Sequence, residues 1–323
     1  MRALQKIILA ASLAAIALPD IAHAQHKFPS KPIRLATGTP AGSQTDTIAR
    51  MLGQKMSERW GQPVVVENRP GAGGLLAANV VAKATPDGHT LWFTLNFSIL
   101  AALQPNLPFD PFKDFVGVSQ VGYVTQTLFV APALGIKSIK DLVALAHAQP
   151  GKIIYSTGGA GSLSHLNGAR FRLAAETKVV NVAFKAGVDA VIETLAGRTH
   201  YGFASLAPAL PFIKDGKLLA LAVTTPQRSP VLPDVPAMAE TFAEFKRPES
   251  SAGLLAPAHT PRPIRSQIGN EVARILDLPD VKERLQAFGF APAPSTPEEY
   301  DMIRREQIAT LSRVVRDAGL RSN

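Results

Sequence analysis

The chain is 323 residues long, with 34 Lys and Arg against 25 Asp and Glu and a formal net charge of +9. It contains no cysteine, which excludes disulfides, thiolate metal sites, a cysteine nucleophile and a lipid-modified cysteine anchor. Its basic residues are scattered between apolar segments and aromatics make up only 7%, so the charge reads as a basic solvated surface and not as a nucleic-acid footprint; small anionic ligands remain open.

The first element is a basic tip, Arg2 and Lys6, followed by an apolar run from Ile7 to Leu18 and the small-x-small pattern Ala22-His23-Ala24. This is the layout of a secretory signal, residues 1–24, cut after Ala24. The run is too short to span a bilayer as a permanent helix, and no later stretch is long and apolar enough. Losing Arg2, Lys6 and Asp20 with the signal takes the formal charge from +9 to +8. An exported chain without a tether is expected to be soluble and retained in the periplasm of a two-membrane bacterium.

From Lys31 the pattern is strand, loop, helix, repeated. Ile33 to Thr37 is a short β run, and Thr45 to Trp60 places Ile48, Leu52, Met56 and Trp60 four apart, which makes one apolar helix stripe. Pro63 to Glu67 reads as a strand buried on both faces. Asn68 to Gly74 is a turn, Leu75 to Ala84 a helix and His89 to Leu95 a third strand. Such an order implies a parallel sheet with right-handed crossovers.

The middle of the chain repeats the logic. Ser138 caps a helix through Gln149, with Asp141 at the capping-box position. Strand Lys152 to Ser156, loop Thr157 to Ser162, a helix to about Thr177 and strand Lys178 to Phe184 follow. A loop at Lys185 to Gly187 leads to a helix ending at Ala196, then to strands at Thr199 to Ser205 and Leu218 to Thr225. A second parallel sheet is expected. Pro226 to Pro236 is proline-rich and should be extended. Ser251 to Pro257 reads as a last strand, and Thr296-Pro297-Glu298-Glu299 opens a helical tail with a cap, an N1 proline and a carboxylate three residues on.

The usual chemical signatures are missing. There is no P-loop lysine pattern, no G-x-S-x-G elbow and no H-E-x-x-H. "RPGAGG" lacks the third glycine of a dinucleotide fingerprint, since Leu76 stands there, and reads as a tight strand-to-helix turn. The histidines are isolated from one another, so no metal site and no cofactor is expected. His165 reads first as a packed or capping histidine, and Asp46 as a carboxylate serving the N–H groups and dipole of a helix start.

What remains is a pair of similar loops, Gly38 to Gln44 and Thr157 to Ser162. Both join a strand to a helix, and both are rich in Gly, Ser and Thr. Each presents backbone N–H groups and small hydroxyls at a helix N-terminus, an anion grip that needs no charged side chain. Both lie at the carboxyl ends of strands, where open α/β sheets bind ligands.

Several segments taken together resemble the Bug family, the extracytoplasmic solute-binding receptors of tripartite tricarboxylate transporters, of which TctC is the type. They are "FPSKPIRL" (Phe28 to Leu35), "PAGSQTDTIAR" (Pro40 to Arg50), "GQPVVVENRPGAGG" (Gly61 to Gly74) and "PDGHTL" (Pro86 to Leu91). "PGKIIYSTGGAGSLSHL" (Pro150 to Leu166), "LPDVPAMAE" (Leu232 to Glu240) and "GLLAPAHTP" (Gly253 to Pro261) complete the ordered set. The resemblance implies a two-lobed type II periplasmic-binding (Venus flytrap) α/β fold, each lobe a mainly parallel sheet flanked by helices, with no chemistry of its own. It implies lobe 1 from residues 25–125 and 248–323, lobe 2 from residues 126–247, and crossings near Tyr123 to Thr127 and between Thr225 and Ser250.

In such receptors a small carboxylate is held between the strand-helix loops and passed to a membrane permease by a monomeric protein. Carried over by position, the resemblance names Thr39, Gly42, Ser43, Thr45 and Asp46 in the first loop, and Asn96 and Ser98 after the third strand. In the second lobe it names Thr157, Gly159, Gly161, Ser162, Phe184, Lys185, Ala186 and Ser205. Gly38-Thr39 replaces the family's usual Pro-Phe, Ser43 a usual second glycine, and Ala183 to Ala186 a usual Pro-Tyr-Lys-Gly. His200 and Ala204 stand where, or near where, the common pattern has an Asp. These departures change pocket volume and polarity, so the ligand is expected to differ from the usual ones. An exported enzyme using His165 and Asp46 on a small anion, and a sensor without a transport role, stay open as alternatives.

Overall fold

The computed structural model describes residues 28–104, 106–246 and 250–320; the expected signal and its cleavage point lie outside them. In chain order the strands are β1 (Ile33–Thr37), β2 (Val64–Asn68), β3 (Thr90–Thr94), β4 (Phe115–Val124), β5 (Gln126–Val130) and β6 (Ile154–Thr157). They continue with β7 (Val180–Ala183), β8 (Tyr201–Ser205), β9 (Leu219–Val223), β10 (Ala252–Pro257) and β11 (Phe290–Pro292). The helices are α1 (Gln44–Trp60), α2 (Leu75–Ala82), α3 (Phe97–Leu103), α4 (Ile139–Ala148) and α5 (Leu163–Ala174). Then come α6 (Gly187–Leu195), α7 (Leu206–Lys214), α8 (Arg262–Leu276), α9 (Pro279–Ala287) and α10 (Pro297–Asp317).

The strands form a six-stranded sheet, β11-β4-β10-β3-β1-β2, and a five-stranded sheet, β7-β6-β8-β5-β9. The β-loop-α rhythm read from the sequence produces parallel pairs β1–β2 and β1–β3 in the first sheet, and β6–β7 and β6–β8 in the second. The two-lobed α/β architecture expected from the sequence is present, but both sheets are mixed and not mainly parallel. The strands adjoining the crossings run the other way: β10 is antiparallel to β3 and β4, and β5 to β8 and β9. The chain passes from the first sheet to the second at Thr125, between β4 and β5, and returns between β9 and β10.

Local chemistry accounts for the elements that carry the site. In α1 the stripe Ile48, Leu52 and Met56 is fully buried against Ile33 and Leu35 of β1 and Leu91 of β3. Its start is fixed by Ser43, whose hydroxyl accepts the Asp46 N–H, and its end by Gly61 at φ +66°, whose N–H reaches the Ser57 carbonyl. The tail helix α10 opens on the expected box: Thr296 accepts from the Glu299 N–H at 3.3 Å and the Glu299 carboxylate accepts from the Thr296 N–H at 2.9 Å.

Two expectations need correction. Val64–Asn68 is the edge of its sheet and not a strand covered on both faces; Val65 is 48% exposed, because β2 has a partner only in β1. The proline-rich stretch is not extended. It is folded into turns, with the Leu232 N–H on Ser229 O at 3.0 Å and the Val235 N–H on Leu232 O at 3.1 Å.

Each lobe has its own apolar core, one around Leu52, Phe93 and Leu254, the other around Leu128, Phe171 and Phe203. A smaller cluster joins them: Ile99 of α3, Leu166 of α5, and Leu311 and Val315 of α10 pack together, with Leu103 and Leu163 against them. The tail helix therefore touches both lobes.

Candidate functional site

Parallel register brings the first jaw together. Thr37 pairs with Asn68 and with Phe93, so the carboxyl ends of β1, β2 and β3 lie side by side and the loop from Gly38 to Ser43 rises above them. Gly38 makes this possible: a Cβ there would lie 2.5 Å from the Cα of Gly74, backbone against backbone. Gly42, at φ +79°, turns the chain so that its N–H donates to Asp46 Oδ2 at 2.8 Å. Arg50 Nε donates to the same oxygen at 3.0 Å, and Asn68 Nδ2 to Asp46 Oδ1 at 2.8 Å. Asn68 Nδ2 also bonds Thr39 O at 3.1 Å. Burial pushes the Asp46 carboxyl up, but the bonds from Arg50, Gly42 and Asn68 outweigh it and hold its pKa below the ordinary value.

The second jaw is built the same way on β6, β7 and β8. Thr157 pairs with Ala183, and Ser156 with Gly202, so the carboxyl ends of β6, β7 and β8 lie side by side beneath the loop from Gly158 to Ser162. Gly161, at φ +74°, donates its N–H to His165 Nδ1 at 3.0 Å, and Ser162 accepts the His165 N–H at 3.3 Å. The two caps have nearly the same backbone: Ser43 at φ −69°, ψ 163° and Ser162 at φ −69°, ψ 164°. His165 Nδ1 must be unprotonated to accept that bond. Burial and, secondarily, the Arg172 charge hold the His165 pKa below its ordinary value, so the ring is neutral and carries its proton on Nε2.

As the first two residues of their helices, Gln44 and Thr45, and Leu163 and Ser164, have N–H groups without an intrahelical acceptor. The helix dipoles add to them, so each jaw attracts negative charge. No cationic side chain of the first jaw competes, since Arg50 is tied to Asp46 and to Asn68 Oδ1.

The two jaws border one line of contact between the lobes. Asn96, at the end of β3 beside the first jaw, is exposed and opens α3. At the other end of α3, Leu103 reaches the second jaw, where a Cβ on Gly161 would meet its Cδ1 at 2.9 Å. On the crossing side, Gln44 Nε2 donates to Phe288 O at 2.9 Å, and the next residue, Gly289, packs against Leu206 and Ala207 just after Ser205.

Within the second jaw, the carbonyls of Phe184 and Lys185 lie 3.9 and 4.0 Å from where a Cβ on Gly159 would stand. Ala186 N–H is held by Asp189 Oδ2 at 3.0 Å, which fixes the turn into α6. Lys185 and Ala186 are exposed and Phe184 is half-buried.

The structure gives other duties to four of the expected residues. Ser98 is 2% exposed and donates to Gln307 Oε1 of α10 at 2.9 Å, so it faces the tail helix and not the cleft. Asp46 has both oxygens occupied by its own loop and neighbours, which makes it the buckle of the jaw and not a ligand contact. Thr157, fully buried, accepts from Asn181 Nδ2 at 3.1 Å and holds β7 in place. Ser205 accepts from Gln126 Nε2 at 2.9 Å and ties the jaw to the first crossing. Asn68, Gln44, Thr37 and Ser164 are contributors that sequence reasoning missed; Asn68 could have been found from the parallel register, which sets the last residue of β2 beside the loop after β1.

Asp46 spends both oxygens on its own loop and neighbours, and His165 spends Nδ1 on the Gly161 N–H. Among the described residues no cluster of His, Asp or Glu could hold a metal ion, and no helix is long and apolar enough to cross a membrane. A cavity of about 1040 Å3 lies elsewhere, between α5, α10 and the crossings, and includes no residue of either jaw loop.

Two sheets joined by two crossings, with matching helix-capping loops along their line of contact, define a two-lobed solute-binding protein. The chain belongs to the tripartite tricarboxylate transporter family receptors, the TctC family, which it matches over residues 48–320. It is 36% identical over 315 residues to an Agrobacterium vitis protein described as a UPF0065 protein in the TAR-I ttuE-ttuC' intergenic region, covering 96% of this chain and 91% of that one. It is similar to the structure described as R. palustris Rpa4515 with adipate, at 27% identity and a TM-score of 0.73, over 91% of this chain and 99% of that one. It is also similar to MatC from Rhodopseudomonas palustris with bound malate, at 29% identity and a TM-score of 0.68, over 89% of this chain and all of that one.

Proposed function

We propose that the protein is a periplasmic receptor that captures a small organic carboxylate between its lobes and delivers it to a tripartite tricarboxylate-type permease. The observation that carries this reading is the pair of jaws: two loops of the same geometry, each offering free helix N–H groups at one interlobe line. Adipate and malate, named for two similar structures, supply the chemical class. On this reading the lobes are residues 25–125 with 248–323 and residues 126–247, the signal is cut after Ala24, and the mature protein acts as a monomer without catalysing a reaction.

Capture is a population shift, since the ligand stabilises the closed arrangement only through what it gains by touching both lobes. Several charge-assisted bonds to one carboxylate suffice for roughly micromolar binding. The test is thermal denaturation with a panel of mono- and dicarboxylates. A true ligand at a hundredfold excess over its Kd adds about 2.7 kcal/mol of stability. A flat response across the panel would sink the carboxylate reading, and mass spectrometry showing the bound ligand chemically changed after incubation would instead point to an enzyme.

A further inference from the structure

The jaws share one more property, visible only when their hydroxyl protons are traced. In the first jaw Ser43 Oγ donates to Thr39 Oγ1 at 2.8 Å, and Thr39 Oγ1 lies 3.0 Å from Thr37 Oγ1. Geometry alone permits either threonine to donate. Burial decides the direction. Thr37 is 0% exposed and its Oγ1 already accepts the Thr39 N–H at 3.3 Å; Thr39 Oγ1 is the one acceptor within reach of its proton among the described residues. Were Thr39 the donor, the Thr37 proton would be buried without a partner, which costs more than an ordinary hydrogen bond contributes. Thr37 therefore donates. Thr39 Oγ1 then accepts from both Thr37 and Ser43, both of its lone pairs are used, and only its own proton is left.

The second jaw reaches the same state with different residues. Ser162 Oγ accepts the His165 N–H at 3.3 Å and lies 2.9 Å from Ser164 Oγ. Ser164, 5% exposed, accepts the Gly158 N–H at 3.0 Å and has Ser162 Oγ as the acceptor for its proton. By the same reasoning Ser164 donates, both lone pairs of Ser162 are used, and only the Ser162 proton is left.

We propose that Thr39 and Ser162 are specificity-determining residues, a pair of one-way donors facing the ligand from opposite lobes. The ligand end they grip must present acceptors to both, as an ionised carboxylate does with its two oxygens; an ammonium has no acceptor to offer and is refused, and an amide, with one acceptor oxygen and an N–H group that neither hydroxyl can accept, is held less well. The buried hydroxyls of Thr37 and Ser164 are the positioning residues that impose the direction. This rests on the receptor reading above and narrows it to the polarity of the bound atoms.

Neutron diffraction from crystals of the deuterated protein reads the direction without any ligand. The expected deuterons sit on Thr37 Oγ1 and Ser164 Oγ, pointing at Thr39 and Ser162; a deuteron on Thr39 directed at Thr37, or on Ser162 directed at Ser164, overturns the proposal. Calorimetric titration with adipate and with its diamide, adipamide, reads the consequence. Wild type should prefer adipate at least about a hundredfold. Thr39→Val should weaken adipate about tenfold, and Thr39→Ser should restore most of that loss. Thr37→Val, which gives Thr39 back a lone pair, should narrow the adipate-to-adipamide ratio about tenfold with unliganded melting as the control for folding. An unchanged ratio in Thr37→Val overturns the one-way donor while leaving the receptor intact. If no carboxylate binds wild type, the receptor reading fails and the ligand half of this proposal falls with it, while the neutron map still decides the hydroxyl direction.

Discussion

The two jaws have one geometry and two chemistries. Ser43 and Ser162 cap their helices at the same backbone angles, and Gly42 and Gly161 both turn through positive φ to aim an N–H at the third helical residue. That residue is Asp46 in one jaw and His165 in the other. The turn thus requires an acceptor at this position and not a negative charge. The difference lies in the bracing: Asp46 is held from three sides, by Gly42, Arg50 and Asn68, whereas His165 has the Gly161 bond alone on its acceptor nitrogen.

Breaking each buckle should expose that asymmetry first. Asp46→Ala strips Gly42, Arg50 and Asn68 of their acceptor and is expected to cost about 3 kcal/mol in urea unfolding, against about 1 kcal/mol for His165→Ala. Equal losses would show that the bracing is not what distinguishes the jaws. Next in size, Gly38→Ala should cost about 2 kcal/mol, because its Cβ would meet the Gly74 backbone, which no rotamer change can relieve. Gly161→Ala should cost about 1 kcal/mol, since the atom its Cβ would meet is the movable end of Leu103 and the strain of a positive φ remains. The caps should behave alike: Ser43→Ala and Ser162→Ala are each expected to lose about 1 kcal/mol by chemical denaturation, and unequal losses would mean that equal angles hide unequal bonds.

The smallest effect is the most diagnostic. Because the folded His165 pKa is lowered, its contribution to stability is complete above the ordinary histidine value and is lost as pH falls through the lowered one. Protonation turns the acceptor of Gly161 N–H into a donor. Arg172 is the charge that acts on the ring, while α3 and α10 present Ile99, Leu103, Leu311 and Val315 around the start of α5. Ligand affinity is therefore expected to drop only as the pH falls through that lowered pKa, on the acid side of the ordinary histidine value. His165→Asp, which gives the second jaw the chemistry of the first, should flatten that titration. A wild-type profile that is already flat would break the link between His165 and the jaw.

The jaws were legible in the sequence because everything that shapes them is local: a strand, a glycine in positive φ, a serine cap and an acceptor three residues later. The same holds for the Thr296 box of α10. What escaped was long-range. Ser98 looked like a cleft residue from its place after β3, but its partner Gln307 lies 209 positions away on the tail helix. The valines of Val64–Asn68 suggest a covered strand, yet sheet order, which no local pattern carries, put them at an edge. The run from Phe115 to Val130 holds two strands that enter different sheets, and no local signal marks the change of direction at Thr125; a crossing near Tyr123 to Thr127 came only from the family resemblance. Thr37 and Ser164 were passed over because a buried hydroxyl matters here for where it sends its proton.

The order in which the chain supplies its strands separates the lobes in time. The five-stranded sheet draws all its members from residues 126–223, whereas the six-stranded sheet needs β10 and β11 as well as β1 to β4. The second jaw can therefore take shape on a contiguous stretch of chain, while the first waits for a distant segment to slot between β3 and β4. The α10 helix, packed on both α3 and α5, arrives later still. Folding of this protein is thus expected to proceed from a local, quickly assembled half to a half limited by loop closure over long sequence separations, and the alignment of the two jaws is its final step.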